Sequence, residues 1–179
     1  EATINRDLNE SYTSLISSQL NWKKKVINNK SGIVFDNESN FRIISVNIDH
    51  KNQSDIENIR FYPQWSSKIS YPLIKFSKNY TNMVSPIIMP VVSPYNNYTS
   101  SQTISNSNIF SSNRASSITE WESGPRINYG LEWFMNQRSG TDMILTLGQS
   151  YRLNKNKSDI AEELSDYFIS TSFSFNNNF

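Results

Sequence analysis

One stretch near the middle of the chain reads Asn108-Ile109-Phe110-Ser111-Ser112-Asn113-Arg114 and then, after seven residues, Glu122-Ser123-Gly124-Pro125-Arg126-Ile127-Asn128-Tyr129-Gly130-Leu131. From Arg126 onward, polar or small residues alternate with apolar and aromatic ones. Successive side chains of a β-strand point to opposite faces. The stretch therefore predicts a strand with one polar and one apolar face, which the chain enters directly from a polar loop.

The same alternation recurs from end to end of the chain. The predicted strand segments are 12–22, 23–35, 41–49, 59–71, 82–93, 125–135, 141–153 and 166–175, with a hairpin turn at 28–32. Pro86 and Pro90 cannot donate to a β-ladder, so the segment 82–93 is expected to be irregular or partly unpaired. The pattern predicts an all-β fold of about eight strands. Charged and amide side chains on the polar faces favour an antiparallel transmembrane β-barrel with a wet lumen.

A long polar loop is predicted at about 94–118, where Ser, Asn and Thr dominate and no period is sustained. A structureless loop of this length is uncommon inside a compact soluble domain. Outer-membrane barrels, in contrast, carry long loops on their extracellular side. The loop therefore agrees with the barrel interpretation.

Composition narrows the function classes. The 179 residues carry 17 basic and 16 acidic side chains, a net charge of +1, so there is no basic field that would bind nucleic acid. The sequence has no apolar run of the ~18 residues that a transmembrane helix needs. Aromatic residues make up 13% of a chain that is only 36% hydrophobic, which suits an outer-membrane barrel and also a soluble β-sandwich.

The sequence gives little support to an enzyme. Cysteine is absent, so thiol nucleophiles are excluded, and with His50 as the only histidine a Ser-His-Asp triad or a multi-histidine metal site is nearly impossible. Glu120 and Glu122 share a predicted strand face, but we interpret them as lumen or surface charges. We therefore expect no catalytic residues, no metal and no cofactor.

The stretch quoted at the outset resembles the motif of the LptD family of LPS-assembly proteins, also known as the organic-solvent-tolerance family. The resemblance covers roughly Ile59 to Phe175, and the chain departs from the family pattern at Ala115 and at 117–120. The motif residues that we select as candidate site residues are Asn113, Arg114, Glu122, Gly124, Arg126, Asn128, Tyr129, Gly130, Gly148, Gln149 and Tyr151.

The resemblance implies a transport protein of the Gram-negative outer membrane that moves lipopolysaccharide to the outer leaflet without making or breaking a bond. Residues 1–179 would be a segment from the middle of the larger C-terminal barrel domain. The implied partners are lipopolysaccharide, outer-membrane lipids, an LptE-like plug lipoprotein and a periplasmic LptA-like bridge protein. The bridge protein would act through a jellyroll domain that this chain does not contain.

Two roles are open for the motif residues. They could anchor the loop to the barrel, with Arg126 paired to Glu122 or Glu132 and with Gly124 and Gly130 allowing close backbone approach or a bulge. They could also contact lipopolysaccharide directly. Two other functions also fit the pattern, namely another outer-membrane channel of the porin type and, less well, a soluble extracellular β-sandwich that binds a ligand.

Overall fold

The computed structural model describes residues 2–6, 12–50, 53–95, 108–115, 121–153 and 164–175. Within them lie nine strands: β1 (Ala2–Arg6), β2 (Tyr12–Ile27), β3 (Val34–His50), β4 (Gln53–Ser70), β5 (Leu73–Phe76), β6 (Tyr80–Val92), β7 (Arg126–Gln137), β8 (Thr141–Arg152) and β9 (Phe168–Phe175). None of the described segments forms a helix long and apolar enough to cross a membrane.

The strands form one antiparallel sheet in which neighbours in sequence are neighbours in space, in the order β1-β2-β3-β4-β6-β7-β8-β9. β5 pairs with β6 and continues the register of β4 after a break at Tyr71 and Pro72. This confirms the prediction of an all-β, antiparallel fold with about eight strands in the path. No pairing joins β1 to β9 among the described residues, so the sheet is open and is consistent with part of a barrel.

The two faces of the sheet differ in chemistry, as the alternation predicts. The outer face exposes large apolar side chains: Ile16, Leu20, Trp22, Val26, Phe41, Ile43, Ile59, Phe61, Trp65, Leu73, Ile88, Val92, Tyr129, Tyr151, Ile169, Phe173 and Phe175. The inner face carries polar and charged side chains, and its central part is buried. The core therefore lies between the inner face and the loop that crosses it.

The strands extend further than the sequence pattern predicts. β2 is a continuous strand of 16 residues that runs through the basic run Lys23–Lys25, where two segments were expected. β3 ends at His50 and β4 begins at Gln53, beyond the bounds 41–49 and 59–71 of the predicted segments. β1 and β5 were not predicted. Backbone pairing holds these strand ends even where no apolar face marks them in the sequence.

The two prolines of β6 break the ladder on one side only. β6 pairs with β7 without interruption from Tyr80 to Val91. Toward β4 the pairs stop between Ser66 and Ile69, opposite Pro90. In an antiparallel pair, the N–H and C=O of one residue point to the same neighbouring strand, and the Pro86 carbonyl indeed accepts from the Tyr71 N–H at 3.2 Å. The expected irregularity is confirmed and is directed toward β4 and β5.

The connections at the two ends of the sheet differ in length. Short turns at 28–33, 77–79 and 138–140 close one end. The opposite end carries the connection 93–125 between β6 and β7, which includes the predicted polar loop. Its described parts, 108–115 and 121–125, lie against the inner face. This connection builds the candidate site.

The face assignment predicts opposite responses at two adjacent residues of β8. Leu145 belongs to the outer face and Thr146 to the inner face, opposite Glu132. The barrel interpretation of the sequence, in which the outer face contacts hydrocarbon, predicts that Leu145→Arg lowers the free energy of unfolding of the full-length protein in lipid by about 2–4 kcal/mol. Thr146→Arg is the matched control and should be tolerated much better. Equal losses in urea unfolding would contradict the assignment.

Candidate functional site

The centre of the site is the carboxylate of Glu122, which binds three arginine side chains. Arg114 donates from Nε to Oε2 at 2.8 Å and from Nη2 to Oε1, so this pair is bidentate. The Nη2 atom of Arg126 lies 3.0 Å from Oε2, and that of Arg152 lies 2.9 Å from Oε1. Glu122 and Arg126 are fully buried, and Arg114 and Arg152 nearly so. We call these four residues the Glu122 cluster.

Strand register explains why the arginines meet. Arg126 and Arg152 are directly opposite each other in the β7–β8 pair and point to the inner face. Like charges directly across a strand pair repel each other. Glu122, four residues before Arg126, brings a carboxylate between them through the turn at Gly124, which has a φ of +85°. Arg114 then adds a third charge from the other arm of the loop.

The carboxylate of Glu122 is ionised at neutral pH. Burial alone would raise the pKa of Glu122, because desolvation disfavours the charged form. The charges of Arg126, Arg114 and Arg152, together with the hydrogen bonds from Arg114, outweigh burial and hold this pKa below its ordinary value. The ion-paired state is therefore stable down to acidic pH.

Hydrogen bonds to the backbone tie the loop arms to each other and to the sheet. Asn113 Oδ1 accepts from the Glu122 N–H at 3.0 Å and from the Ala115 N–H at 3.3 Å. Arg126 Nη2 donates to the Ser112 carbonyl. Ser93, directly after β6, donates from Oγ to the Glu122 carbonyl at 3.2 Å. Both ends of the connection are thereby held over the strand that follows it.

A glycine in β8 lets the loop approach the sheet. A Cβ atom built on Gly148 would lie 2.7 Å from Cγ1 of Ile109, a loop residue that is 1% exposed. Gly130 lies opposite Gly148 in the β7–β8 pair, so neither strand presents a side chain there. Ile109 therefore packs directly on the backbone of the sheet.

The candidate residues divide between the two faces. Asn128 lies on the inner face and accepts from Ser150 Oγ at 2.7 Å, and Arg114 Nη2 lies 3.3 Å from the same Ser150 atom. Tyr129, Gln149 and Tyr151 lie on the outer face. There the Tyr129 hydroxyl donates to Gln149 Oε1, and Gln149 Nε2 donates to the Ser165 carbonyl at 2.8 Å. This second group fixes the segment before β9 and does not reach the Glu122 cluster.

Of the two acidic partners considered for Arg126, the structure pairs it with Glu122. Glu132 instead pairs with Lys68 at 3.1 Å. Sequence reasoning missed Arg152, Ser112 and Ser150. The signal for Arg152 was available, since the short turn at 138–140 sets the β7–β8 register and places Arg152 opposite Arg126.

A second contact zone joins the loop to β3 and β4. The ring of Trp121 stacks on Tyr62 with centroids 5.8 Å apart, and the Arg42 guanidinium lies 5.0 Å from the Trp121 ring centroid. Ser112 Oγ donates to Glu38 Oε2 at 3.1 Å and accepts from Asn40 Nδ2 at 3.3 Å. Beside this zone is a polar cavity of about 390 Å³. Its lining includes Gln19, Asn21, Lys23, Glu38, Asn40, Arg42, Ser112, Asn113 and Trp121.

The inner face carries more positive than negative charge. The register places basic side chains there at Lys23, Lys25, Arg42, Arg60, Lys68, Arg126 and Arg152, and the loop adds Arg114. The acidic side chains on this surface, among the described residues, are Asp36, Glu38, Glu132 and Asp142, with Glu122 from the loop. This arrangement can attract and pass an anionic, polar molecule.

Comparison with known families gives one result that bears on identity. The family model described as LptD, LPS transport system D, matches residues 50–179, which include all four residues of the Glu122 cluster. A comparison with curated proteins gave no match.

The Glu122 cluster should carry much of the stability of the loop. Glu122→Gln in the full-length protein should lower the free energy of unfolding by about 3–5 kcal/mol, because three buried arginines lose their counter-ion. Glu132→Gln is the matched control, since the Lys68–Glu132 pair is partly exposed and should contribute less than about 1 kcal/mol. Urea unfolding measures both. Equal small effects would show that the cluster does not hold the fold.

Gly148 and Ile109 should be energetically coupled. Gly148→Ala alone should open the loop to limited proteolysis, because the new methyl group collides with Ile109. Ile109→Ala removes the colliding atoms, so the double variant should be less destabilised than the sum of the single variants. The coupling expected for residues in contact is about 0.5–3 kcal/mol. Strict additivity in urea unfolding would refute the contact.

Proposed function

The chain belongs to the LptD family, and we propose on that premise that it forms part of an outer-membrane barrel that moves lipopolysaccharide to the outer leaflet. The observation that carries the proposal is the division of the sheet into an apolar outer face and a polar, cationic inner face. A lipid-embedded barrel needs the first, and passage of a charged glycolipid headgroup needs the second.

Strand length supports a position in the membrane. A transmembrane β-strand needs ~9–11 residues. β6, β7 and β8 contain 13, 12 and 12 residues, and β2, β3 and β4 contain 16, 17 and 18. The longer strands extend past the hydrocarbon layer. In this arrangement the end that carries the connection 93–125 faces the cell exterior, as long loops of such barrels do.

The charge of the inner face suits lipopolysaccharide as the transported molecule, because its headgroup carries acidic groups. A wall with a surplus of cations concentrates and steers anionic substrates. Exposed amides of this face, such as Gln19 and Asn21, can exchange hydrogen bonds with sugar hydroxyls. No step of this function requires a bond to be made or broken.

We assign Arg114, Glu122 and Arg126 to anchoring the loop. Their side chains are buried between the loop and the inner face, where a passing headgroup does not reach them while the loop is in place. The anchored loop narrows the lumen from the exterior end. A plug lipoprotein of the LptE type would complete the barrel from inside, and a periplasmic bridge of the LptA type would deliver the lipid through a separate jellyroll domain.

The three consecutive lysines of β2 test this function. Lys23 and Lys25 point to the inner face, and Lys24 between them points to the outer face. Lys23→Glu combined with Lys25→Glu in the full-length protein should lower the amount of lipopolysaccharide at the cell surface, because the wall loses its cationic surplus. Lys24→Glu is the matched control and should leave surface lipopolysaccharide near the wild-type level. The amount of folded barrel must be equal in all strains.

Two results would contradict the proposal. Unchanged surface lipopolysaccharide after depletion of the full-length protein would exclude the transport function altogether. Ion conductance in planar bilayers, without any effect of depletion on surface lipopolysaccharide, would favour a diffusion channel of the porin type instead.

A further inference from the structure

The Glu122 cluster contains more positive charge than its single carboxylate balances. Three guanidinium groups share the carboxylate, so the cluster carries two positive charges in excess. Two other acids of the described inner face, Glu38 and Glu132, pair with Lys23 and Lys68. Unbalanced charge in a buried site is strongly unfavourable. A second counter-ion is therefore needed.

Several hydrogen-bond donors of the same cluster are buried without a partner among the described residues. They are Nε and Nη1 of Arg126, Nη1 of Arg114 and Nδ2 of Asn128. Ser150 links Asn128 to Arg114 through its hydroxyl, so the amide lies beside the guanidinium groups. Buried donors in folded proteins are almost always satisfied by protein, water or a bound ion. Here every free donor is an N–H group and the surrounding charge is positive.

We propose that a small inorganic anion is bound in the Glu122 cluster, held by the free N–H groups of Arg126, Arg114 and Asn128. Guanidinium groups form strong, charge-assisted hydrogen bonds to anions, and the side-chain amide adds a neutral donor. Arg126 and Asn128 are both 0% exposed, so the bound anion is enclosed between the loop and the inner face of the sheet. Anion binding therefore stabilises the position of the loop on the inner face.

The rest of the loop cannot neutralise the cluster by itself. The connection 93–125 contains two acidic residues in its sequence, Glu120 and Glu122. Glu120 lies outside the described residues. Even a direct pair with Glu120 would leave one positive charge in excess. The experiment therefore includes a variant that removes this carboxylate.

The test is an anion titration of the full-length protein folded in detergent. The protein is exchanged into sodium gluconate, and sodium chloride or inorganic phosphate replaces the gluconate at constant ionic strength. The midpoint of thermal unfolding should rise with a saturable dependence on chloride or phosphate. At an anion concentration of 100 times the dissociation constant, the folding equilibrium constant should increase about 100-fold. Gluconate, a larger organic anion, serves as the reference.

Asn128→Asp supplies one negative charge to the cluster from within the protein. The aspartate is isosteric with asparagine and places an oxygen anion where the free Nδ2 donor lies. This variant should unfold at a higher temperature than wild type in gluconate and should lose its response to chloride and phosphate. Asn29→Asp, in the exposed turn 28–33, is the control for the added charge and should keep the wild-type response.

Three outcomes would overturn the proposal. The first is a wild-type unfolding midpoint that does not depend on anion identity. The second is stabilisation by lipopolysaccharide alone and not by chloride or phosphate, which would assign the donors to the substrate. The third is a Glu120→Gln variant that is destabilised while neither it nor wild type responds to anions, which would make Glu120 the missing partner. Each is read in the same unfolding measurement.

Discussion

The organisation of this chain depends on a repulsion that must be neutralised. β7 and β8 place Arg126 and Arg152 directly opposite each other on the inner face of the sheet. Two guanidinium groups in that position repel each other unless a carboxylate lies between them. Glu122 provides this carboxylate. Because Glu122 belongs to the loop, the ion pairs that neutralise Arg126 and Arg152 also fix the position of the loop.

Once Glu122 is in place, the remaining contacts of the loop follow from packing. Ile109 rests on the bare backbone at Gly148, and Trp121 stacks on Tyr62 above β4. These apolar contacts exclude water from the ion cluster, which strengthens its electrostatic interactions. The same contacts leave the inner face open toward β2 and β3, where the polar cavity lies. The Glu122 cluster thus both fixes the loop and contributes arginines to the positively charged inner face.

Much of this arrangement could be predicted from the alternation of residues, because a half-buried antiparallel sheet repeats every two residues. The two faces, the irregular β6 and the inward direction of Arg126 follow directly from that rule. β1 and β5 could not be found, since one is five residues long and the other follows a proline break. The extension of β3 to His50 and the start of β4 at Gln53 were also hidden, because polar strand ends resemble loops in sequence.

Individual residues of the site could be predicted from the sequence, but the contacts between them could not. The motif identified Arg114, Glu122 and Arg126, and sequence reasoning named Glu122 as one of two partners for Arg126. It did not identify the third arginine or the role of Asn113, whose side chain accepts from the backbone of both loop arms. Such contacts depend on how two distant loop segments meet, and no local pattern in the sequence encodes that meeting. Glycine spacing alone likewise did not reveal that Gly148 makes room for Ile109.

The central claim is that the loop is held on the inner face by the Glu122 cluster. Because these 179 residues contain no cysteine, no native thiol of this segment competes with a disulfide between two introduced cysteines. Asn40→Cys and Ser112→Cys are suited to it, since the two native side chains lie 3.3 Å apart across loop and sheet. If the Glu122 cluster holds the loop, the two cysteines cross-link efficiently in the full-length protein in cells, and adding Glu122→Gln markedly lowers the yield of the cross-link. Absence of the cross-link, or a yield that Glu122→Gln does not change, would contradict it.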